Sequence, residues 1–587
     1  MQLNFEFSGE KTPRREISVN AFESIIELLD STVGYFKCTN YPTAKSLKDF
    51  KNGILFLLED LIDGENLIEV ENYLKEIVSS KAPFIEEYFE DPTPEYSSIQ
   101  LKYLKKCKAS KKQQGAFYTP QDVIINVLKS SKEIWGINEN EVIKMRVLDP
   151  TMGAADWLLN WFNLCVKSNK TNTTSSKMSL FKKCIYGVDL DPVAVLTSRL
   201  IFWHQFEYEN TIVHSIGKNL ILGDALDPIR GRALFKGKKF DAIIGNPPYV
   251  VQNLKGLNCY TNKTNNLYSV ITESATEMLR PGGHISFVIP LSFVCSKKIS
   301  DLREYCINEY SEINYSNYAI RPMKMFEGVD QRISIFIGTK KEGVHEKCKV
   351  YSTGGYFRWR DRNDLNELLL NLSNRVEVEL EKRSFNGLWP KIENSIEEKI
   401  LEKIKKLSAK QGNLLNLTSK TKTRYPIYYY GNGRYFIKAL NYKPYYKNNI
   451  KPDKENSELK VIYAENSEAQ KTIISIMNSK IYFWLWTVYS DCFHVDYKLL
   501  ELIPHSLKFQ RLIKGCDILM KSMKKSSVKK KHGDNVITEF KIRESLEIVK
   551  ELDENVFDAL TLNLNEKKFL RCFAQDVRGA VKKGAAA

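Results

Sequence analysis

Histidine is scarce in this chain of 587 residues, and cysteine never comes in close pairs. It has 7 histidines, and its 11 cysteines are scattered without a Cys-x-x-Cys pair. That usage argues against a zinc site and fits free thiols in a reducing cytoplasm. Long apolar runs are missing as well. Ile54–Leu58 and Ile481–Trp486 are among the longest, far short of the ~20 residues that cross a bilayer. Met1 to Glu10 lack the basic start and apolar core of a signal peptide. The segment Gly231 to Lys239 is not a phosphate loop, because Gly237 comes one residue late and no Ser or Thr follows the lysine. Repeats and extended low-complexity tracts are lacking too. These absences predict a cytoplasmic protein with neither a membrane anchor nor a metal, and with no nucleotide-hydrolysing loop.

What is present is a chain that can fold. Hydrophobic residues make up 43% of it, enough for sizeable cores, and its length gives a soft expectation of about three or four domains. The formal charge of +16 favours a polyanionic partner such as nucleic acid. From Asn20 to about Lys108 the texture is helical, with Leu47, Phe50, Ile54, Leu57 and Leu61 at helical spacing. Residues 1–110 therefore read as an N-terminal helical domain with nothing catalytic in it.

From Arg146 to Gly338 short β-rich runs alternate with helical segments: Val147-Leu148, Cys184–Val188, Leu220–Leu222, Phe240–Ile244, Ile285–Ile289 and Ile333–Ile337. Such alternation predicts a parallel α/β sheet covered on both faces, with ligands beyond the C-terminal strand ends. We place this domain at 111–345. The unusual residues lie where that rule puts them. After the first strand comes the turn Asp149-Pro150-Thr151-Met152-Gly153-Ala154-Ala155-Asp156, which lets a ligand approach the backbone, although Ala155 stands where a second glycine is expected. The second strand ends in Gly187-Val188-Asp189-Leu190-Asp191, and an acid there accepts from both hydroxyls of a ribose. The third ends in Gly223-Asp224-Ala225, where Asp224 is placed to accept from an adenine amine of a cofactor.

The sharpest signal is Asn246-Pro247-Pro248-Tyr249, directly after the strand Phe240–Ile244. By composition it arises by chance in roughly one chain of this length in several hundred. The Asn246 side-chain carbonyl and the Pro247 backbone carbonyl can both accept hydrogen bonds from one planar NH2 group. The prolines Pro247 and Pro248 hold those acceptors still, and Tyr249 offers an aromatic face to a base. Held this way, the amine nitrogen is freed to attack a methyl sulfonium without a basic residue or a metal.

In this order the motifs resemble those of the gamma-class DNA N6-adenine methyltransferases, the family of the TaqI and type I modification enzymes. Gly115-Ala116-Phe117-Tyr118-Thr119-Pro120 is similar to their opening motif, which lines the methionine end of the cofactor. Asn266-Leu267-Tyr268 and Leu279-Arg280-Pro281-Gly282-Gly283 resemble the helix and strand after the Asn-Pro-Pro-Tyr motif. Met325-Phe326-Glu327-Gly328-Val329 resembles the segment whose aromatic residue stacks on the extruded adenine, which would make Phe326 and Tyr249 the two faces of a base clamp. Asn478-Ser479-Lys480-Ile481 through Leu502-Ile503-Pro504 resembles the end of a target-recognition domain. The resemblance covers roughly Gly115 to His505.

It implies a Rossmann-like S-adenosylmethionine-dependent methyltransferase sheet with an α+β target-recognition domain at 346–507 and a basic helical segment at 508–587. The implied cofactor is S-adenosylmethionine, held by Phe117, Tyr118, Thr119, Pro120, Asp149, Thr151, Gly153, Asp189, Leu190, Asp224, Ala225 and Asn246. The implied substrate is adenine in double-stranded DNA, with a restriction or specificity subunit as a possible partner in a restriction-modification or related defence system. Methylating N6 in a duplex requires extruding the base. Aromatic and basic residues interleave from Arg424 to Tyr446, and Arg424, Arg434, Lys438 and Lys443 are expected DNA contacts. Three rival readings are weaker. Enzymes that methylate protein glutamine are short and lack the Phe-Tyr-Thr-Pro opening, and RNA adenine methylation falls in the same minor class. A silent DNA-binding subunit need not keep Asn246 to Tyr249. A fused nuclease lacks a strand-borne site, since Glu397-Glu398-Lys399 sits in a helical pattern.

Overall fold

The computed structural model describes residues 18–40, 44–79, 119–170, 172–226, 235–326, 330–343, 345–353, 356–359, 361–433, 436–451, 453, 455–505 and 510–577. Its centre is a nine-stranded sheet in the order β3-β2-β1-β4-β5-β7-β6-β8-β9. The strands are β1 (Val147–Asp149), β2 (Ile185–Asp189), β3 (Leu220–Leu222), β4 (Phe240–Gly245), β5 (Leu279–Pro290), β6 (Tyr310–Tyr318), β7 (Ile333–Lys340), β8 (Lys349–Ser352) and β9 (Val376–Glu377). The strands β3, β2, β1, β4 and β5 run parallel. Helices cover them on both sides, so they are buried on two faces and read as short continuous apolar runs.

The alternating pattern predicts a parallel sheet throughout, and here the structure differs. Strand β7 runs antiparallel to both β5 and β6. Strand β6 was not expected because its sequence, Tyr-Ser-Glu-Ile-Asn-Tyr-Ser-Asn-Tyr, is polar. Its buried polar groups are satisfied instead of replaced: Ser334 donates to the Asn317 side chain at 2.8 Å and Arg375 to the Asn314 side chain at 2.6 Å. A buried polar group costs little once paired, so a strand can hide behind a hydrophilic sequence.

Two expected boundaries are crossed. Strand β8 pairs with β6, and β9 with β8, so the sheet continues past residue 345. At the other end, the helices Val19–Asn40, Ala44–Leu58 and Gly64–Ser79 share one hydrophobic core with the sheet. Phe50 stacks on Phe36 at 3.9 Å and on Trp203 at 5.1 Å. Gly53 permits that approach, since a Cβ there would meet the Trp203 ring at 2.6 Å. Buried Arg199 forks onto Asp60 at 2.5 and 2.8 Å and also donates to the Leu57 and Leu220 carbonyls.

The C-terminal half carries a four-stranded antiparallel sheet, β10-β14-β11-β12, and a three-stranded one, β13-β16-β15. The strands are β10 (Thr418–Ser419), β11 (Pro426–Tyr430), β12 (Ala439–Leu440), β13 (Tyr446–Asn448), β14 (Leu459–Ala464), β15 (Ser527–His532) and β16 (Asn535–Phe540). The apolar run at Ile481–Trp486 lies in the wholly buried helix Lys480–Tyr489, whose first amide donates to Asp553 at 2.7 Å. Among the described residues no helix is long and apolar enough to cross a membrane. The expected basic helical tail is corrected in part. Helices Gln510–Lys525, Leu546–Ala559 and Leu564–Val577 are present, but Lys529, Lys530 and Lys531 sit on a β-hairpin. The two-residue turn Gly533-Asp534, with Gly533 at φ +55°, closes that hairpin.

Candidate active site

The acids stand at successive strand ends. Asp149 closes β1 and is buried. One of its oxygens accepts from the Thr151 amide at 2.9 Å, while Oδ2 has no hydrogen-bond partner among the described residues. Burial pushes its carboxyl up to about 8, with Asp189 and Asp156 adding to the rise. Gly245, the last residue of β4, lies against it at φ +147°, and a Cβ there would sit 2.7 Å from Asp149 Oδ1. Sequence reasoning passed over Gly245; the signal was a glycine directly before Asn246.

Asp189 closes β2. Its two oxygens accept from the amides of Gly153 and Asp191, each at 2.9 Å, and burial raises its carboxyl. The turn after β1 is therefore tied to the end of β2. Gly153 has φ +53° and Ala155 has φ +63°, so alanine holds a left-handed position where glycine was expected. That costs on the order of 1–2 kcal/mol, offset by full burial of Ala155 and by the bond from Ser198 to the Gly153 carbonyl at 2.7 Å. Leu190 is 44% exposed, a large apolar side chain left open beside the acid. Asp224 accepts from the Leu226 amide at 2.9 Å, and Ala225 is buried. Thr119 is buried with its hydroxyl unpartnered among the described residues, and it adjoins Pro120 at the head of helix Gln121–Ile134. Phe117 and Tyr118 lie outside the described residues.

Asn246-Pro247-Pro248-Tyr249 leaves the end of β4. The Tyr249 hydroxyl donates to Asn246 Oδ1 at 2.5 Å and to the Val288 carbonyl at 2.9 Å. A phenol has one proton, so the two acceptors share it. Burial holds the Tyr249 phenol well above its ordinary value, which keeps it a donor. The carbonyl oxygen of an amide has two acceptor directions, so this bond does not exhaust Asn246. Phe326 is 2% exposed and belongs to the hydrophobic cluster on which Tyr249 packs. Its segment is pinned from outside: Arg362 donates to the Met325 carbonyl at 3.1 Å and forks onto Asp122 at 2.5 and 2.6 Å. Asp122 and Arg362 are 240 positions apart, and no local pattern announces the pair.

A cavity of about 470 Å³ separates the end of β5 from the C-terminal region, lined by residues that include Leu291, Ser292, Arg332, Asp491 and His494. It belongs to the junction and is not walled by Asn246 or the three acids. Of the expected DNA contacts, Arg424 donates to the Tyr425 hydroxyl at 2.8 Å, Lys438 lies 5.6 Å over the Tyr430 ring, and Lys443 pairs with Glu455 at 3.2 Å. Arg434 lies outside the described residues. No group of His, Cys, Asp and Glu side chains able to hold a metal occurs among the described residues.

Residues 183–322 match the family model of the Eco57I restriction-modification methylase. The chain is 34% identical over 89 residues to Type II methyltransferase M.TthHB8I of Thermus thermophilus, covering 12% of this chain and 21% of that protein. It is 25% identical over 206 residues to Modification methylase CviBIII of Paramecium bursaria Chlorella virus NC1A, covering 34% of this chain and 44% of that one. The chain thus spans less than half the length of these curated relatives. The DNA-bound structure of the Type IIL restriction-modification enzyme MmeI superposes with a TM-score of 0.50 at 12% identity, over 97% of this chain and 100% of that one. The chain shares the fold of that restriction-modification enzyme, and over residues 183–322 it is similar to restriction-modification methylases.

Proposed function

We propose that this protein is a site-specific DNA methyltransferase that transfers a methyl group from S-adenosylmethionine to N6 of an adenine extruded from duplex DNA. The observation that carries this reading is the Asn246–Tyr249 motif at the end of β4, beside acids at the ends of β1, β2 and β3. The cofactor fits the residues present. Asp189 offers a half-buried carboxylate for its ribose, Leu190 an open apolar side chain, Asp224 an acceptor for its adenine amine, and Thr119 a buried hydroxyl without a partner among the described residues. When bound, it supplies an electrophilic methyl on a positively charged sulfur.

The chain's own residues do the rest. Asn246 Oδ1 and the Pro247 carbonyl accept from the target NH2 and direct its lone pair outward. Tyr249 stacks on the base, and Phe326, buried in the free chain, turns outward to form the second face once the base is outside the helix. Stacking worth ~1–3 kcal/mol per base offsets much of an extrusion cost of a few kcal/mol. Adenine is favoured over a protein amide because the long basic, aromatic C-terminal half supplies a surface for a duplex. Within that half, residues from about Trp389 to His505 choose the sequence. The similarity to restriction-modification methylases supports a role in a modification or defence system, with a restriction or specificity subunit as partner. Sequencing that detects modified bases, on DNA from cells expressing this chain alone, tests the reading. It predicts N6-methyladenine in one recurring sequence context, and unmodified DNA would remove it.

A further inference from the structure

Between Asp517 and Asp534 the sequence holds six lysines and no acid. In the structure half of them ride on β15, which is exposed along almost its whole length, and β16 beside it is only half-buried. The hairpin therefore adds little to a core. Its third strand, β13, arrives from far away in sequence: the Tyr445 amide donates to the Thr538 hydroxyl across 93 positions.

The register sorts the charges. Residues directly opposite one another share a face of a sheet, and neighbours along a strand alternate. Lys531 lies opposite Val536, which lies opposite Lys447. Lys529 lies opposite Thr538, beside Tyr445, and its ammonium sits 4.1 Å above the Tyr445 ring. One face thus presents Lys447, Lys529, Lys531 and the 42%-exposed Tyr445. The other face carries Lys530 and His532, and both meet Glu539, at 3.0 and 3.6 Å. No carboxylate of the described residues lies within ion-pair distance of Lys447, Lys529 or Lys531. One side of the ribbon is neutralised and the other is not. Alternate residues of one strand are ~6.7 Å apart and neighbouring strands ~4.8 Å, so Lys529 and Lys531 stand within a Debye length of one another at physiological salt and Lys447, two strands away, about 10 Å from Lys531. They repel until an anion with several charges covers them.

The ribbon is joined to the recognition sheet. Phe540 of β16 packs against Tyr430 of β11 at 6.4 Å, and Lys524 lies 5.9 Å over Tyr442. We infer that the face bearing Lys447, Lys529, Lys531 and Tyr445 binds the phosphodiester backbone of duplex DNA, as a second contact distinct from the surface that chooses the sequence. This rests on the reading of DNA as substrate. Lysine suits the task as a compact point charge without fixed hydrogen-bond geometry, and phosphate contacts position a duplex without reading it.

The test uses the full chain with Lys447, Lys529 and Lys531 all changed to Ala, and the charge-keeping change of all three to Arg. A Lys530→Ala variant serves as control on the neutralised face. Binding to a duplex containing the target and to a scrambled duplex is measured as a function of salt. If each lysine neutralises one phosphate, the slope of log affinity against log salt becomes shallower by about 2.7 in the alanine variant. Between 50 and 200 mM salt its affinity then changes about 40-fold less than that of the parent chain. The loss is equal on both duplexes, methylation at saturating DNA is unchanged, the arginine variant keeps the parent slope, and Lys530→Ala keeps it too. An unchanged slope in a folded alanine variant overturns the inference, as does a loss confined to the target duplex. A partner protein on this face gives the first of those results. If the parent chain itself binds no duplex, the proposed function fails instead.

Discussion

The strand ends of the catalytic sheet and the surface of the C-terminal half are built by different rules. At the strand ends the acids and Asn246 are held by residues nearby in sequence or one strand away. Asp149 holds the Thr151 amide, Asp189 the Asp191 and Gly153 amides, Asp224 the Leu226 amide, and Tyr249 the Asn246 side chain. In the C-terminal half the surface is a composite, with a strand from residues 446–448 added to the edge of the 527–540 hairpin. Chemistry that must hold an amine and a ribose within a few tenths of an ångström uses rigid local turns. Recognition of a long polyanion tolerates contributions from distant segments, because charge acts over about a Debye length.

If that contrast is right, the largest effect comes from the most local group. Asn246→Ala should reduce methyl transfer by at least about 10²-fold, the scale of removing one fixed hydrogen-bonding group from a transition state. Cofactor affinity should stay near its original value by calorimetry. Near-normal turnover in this variant would remove Asn246 from the chemistry and blur the contrast. Asp189→Ala should do the reverse and weaken cofactor binding by ~10–100-fold, since it deletes a charged hydrogen-bonding partner. An unchanged dissociation constant would contradict the ribose role.

Stability provides the next separation. Gly245→Ala places a methyl group 2.7 Å from Asp149 Oδ1 at a backbone φ of +147°, and should destabilise the fold by ~1–3 kcal/mol in denaturant titrations. Asp149 also carries a pH signature. Its folded carboxyl is raised to about 8 from an ordinary 3.8, so the folded chain binds this proton more tightly than the unfolded one. The contribution is fully present below about pH 4 and is lost as pH rises through about 8. Asp149→Asn, which keeps the shape and cannot ionise, should flatten that decline in stability between about pH 5 and 8. An unaltered profile would mean the carboxylate is already charged near neutrality.

Much of the catalytic half was legible because its signals are local. The runs Leu220–Leu222 and Phe240–Ile244 became strands nearly as read, and the acids and Asn246 follow them at the sheet's C-terminal edge. What the sequence concealed was non-local. Strand β6 is polar, so hydrophobic periodicity missed it, and the order reversal that makes β7 antiparallel leaves no trace in composition. The Arg362–Asp122 fork behind Met325 and Phe326 joins segments no window spans. Lys529 to Lys531 read as part of a helical tail because a run of like charges has no period. Only pairing with β16 shows that Lys530 faces Glu539 while its neighbours do not.

The smallest effect sharpens the comparison within the C-terminal half. Lys443 is paired with Glu455, and both are well exposed, so Lys443→Ala should change DNA affinity by at most about fivefold. A larger loss would show that the ion pair opens onto the duplex and that Lys443 belongs with the unpaired lysines.

The central claim is tested most directly by incubating the purified chain with S-adenosylmethionine carrying a labelled methyl group and with mixed duplex DNA, then digesting to nucleosides. The account predicts label in N6-methyladenine alone, absent with Asn246→Ala and present with the Lys530→Ala control. Label in cytosine, or in no nucleoside at all, would contradict it, as would N6-methyladenine formed at an undiminished rate by Asn246→Ala.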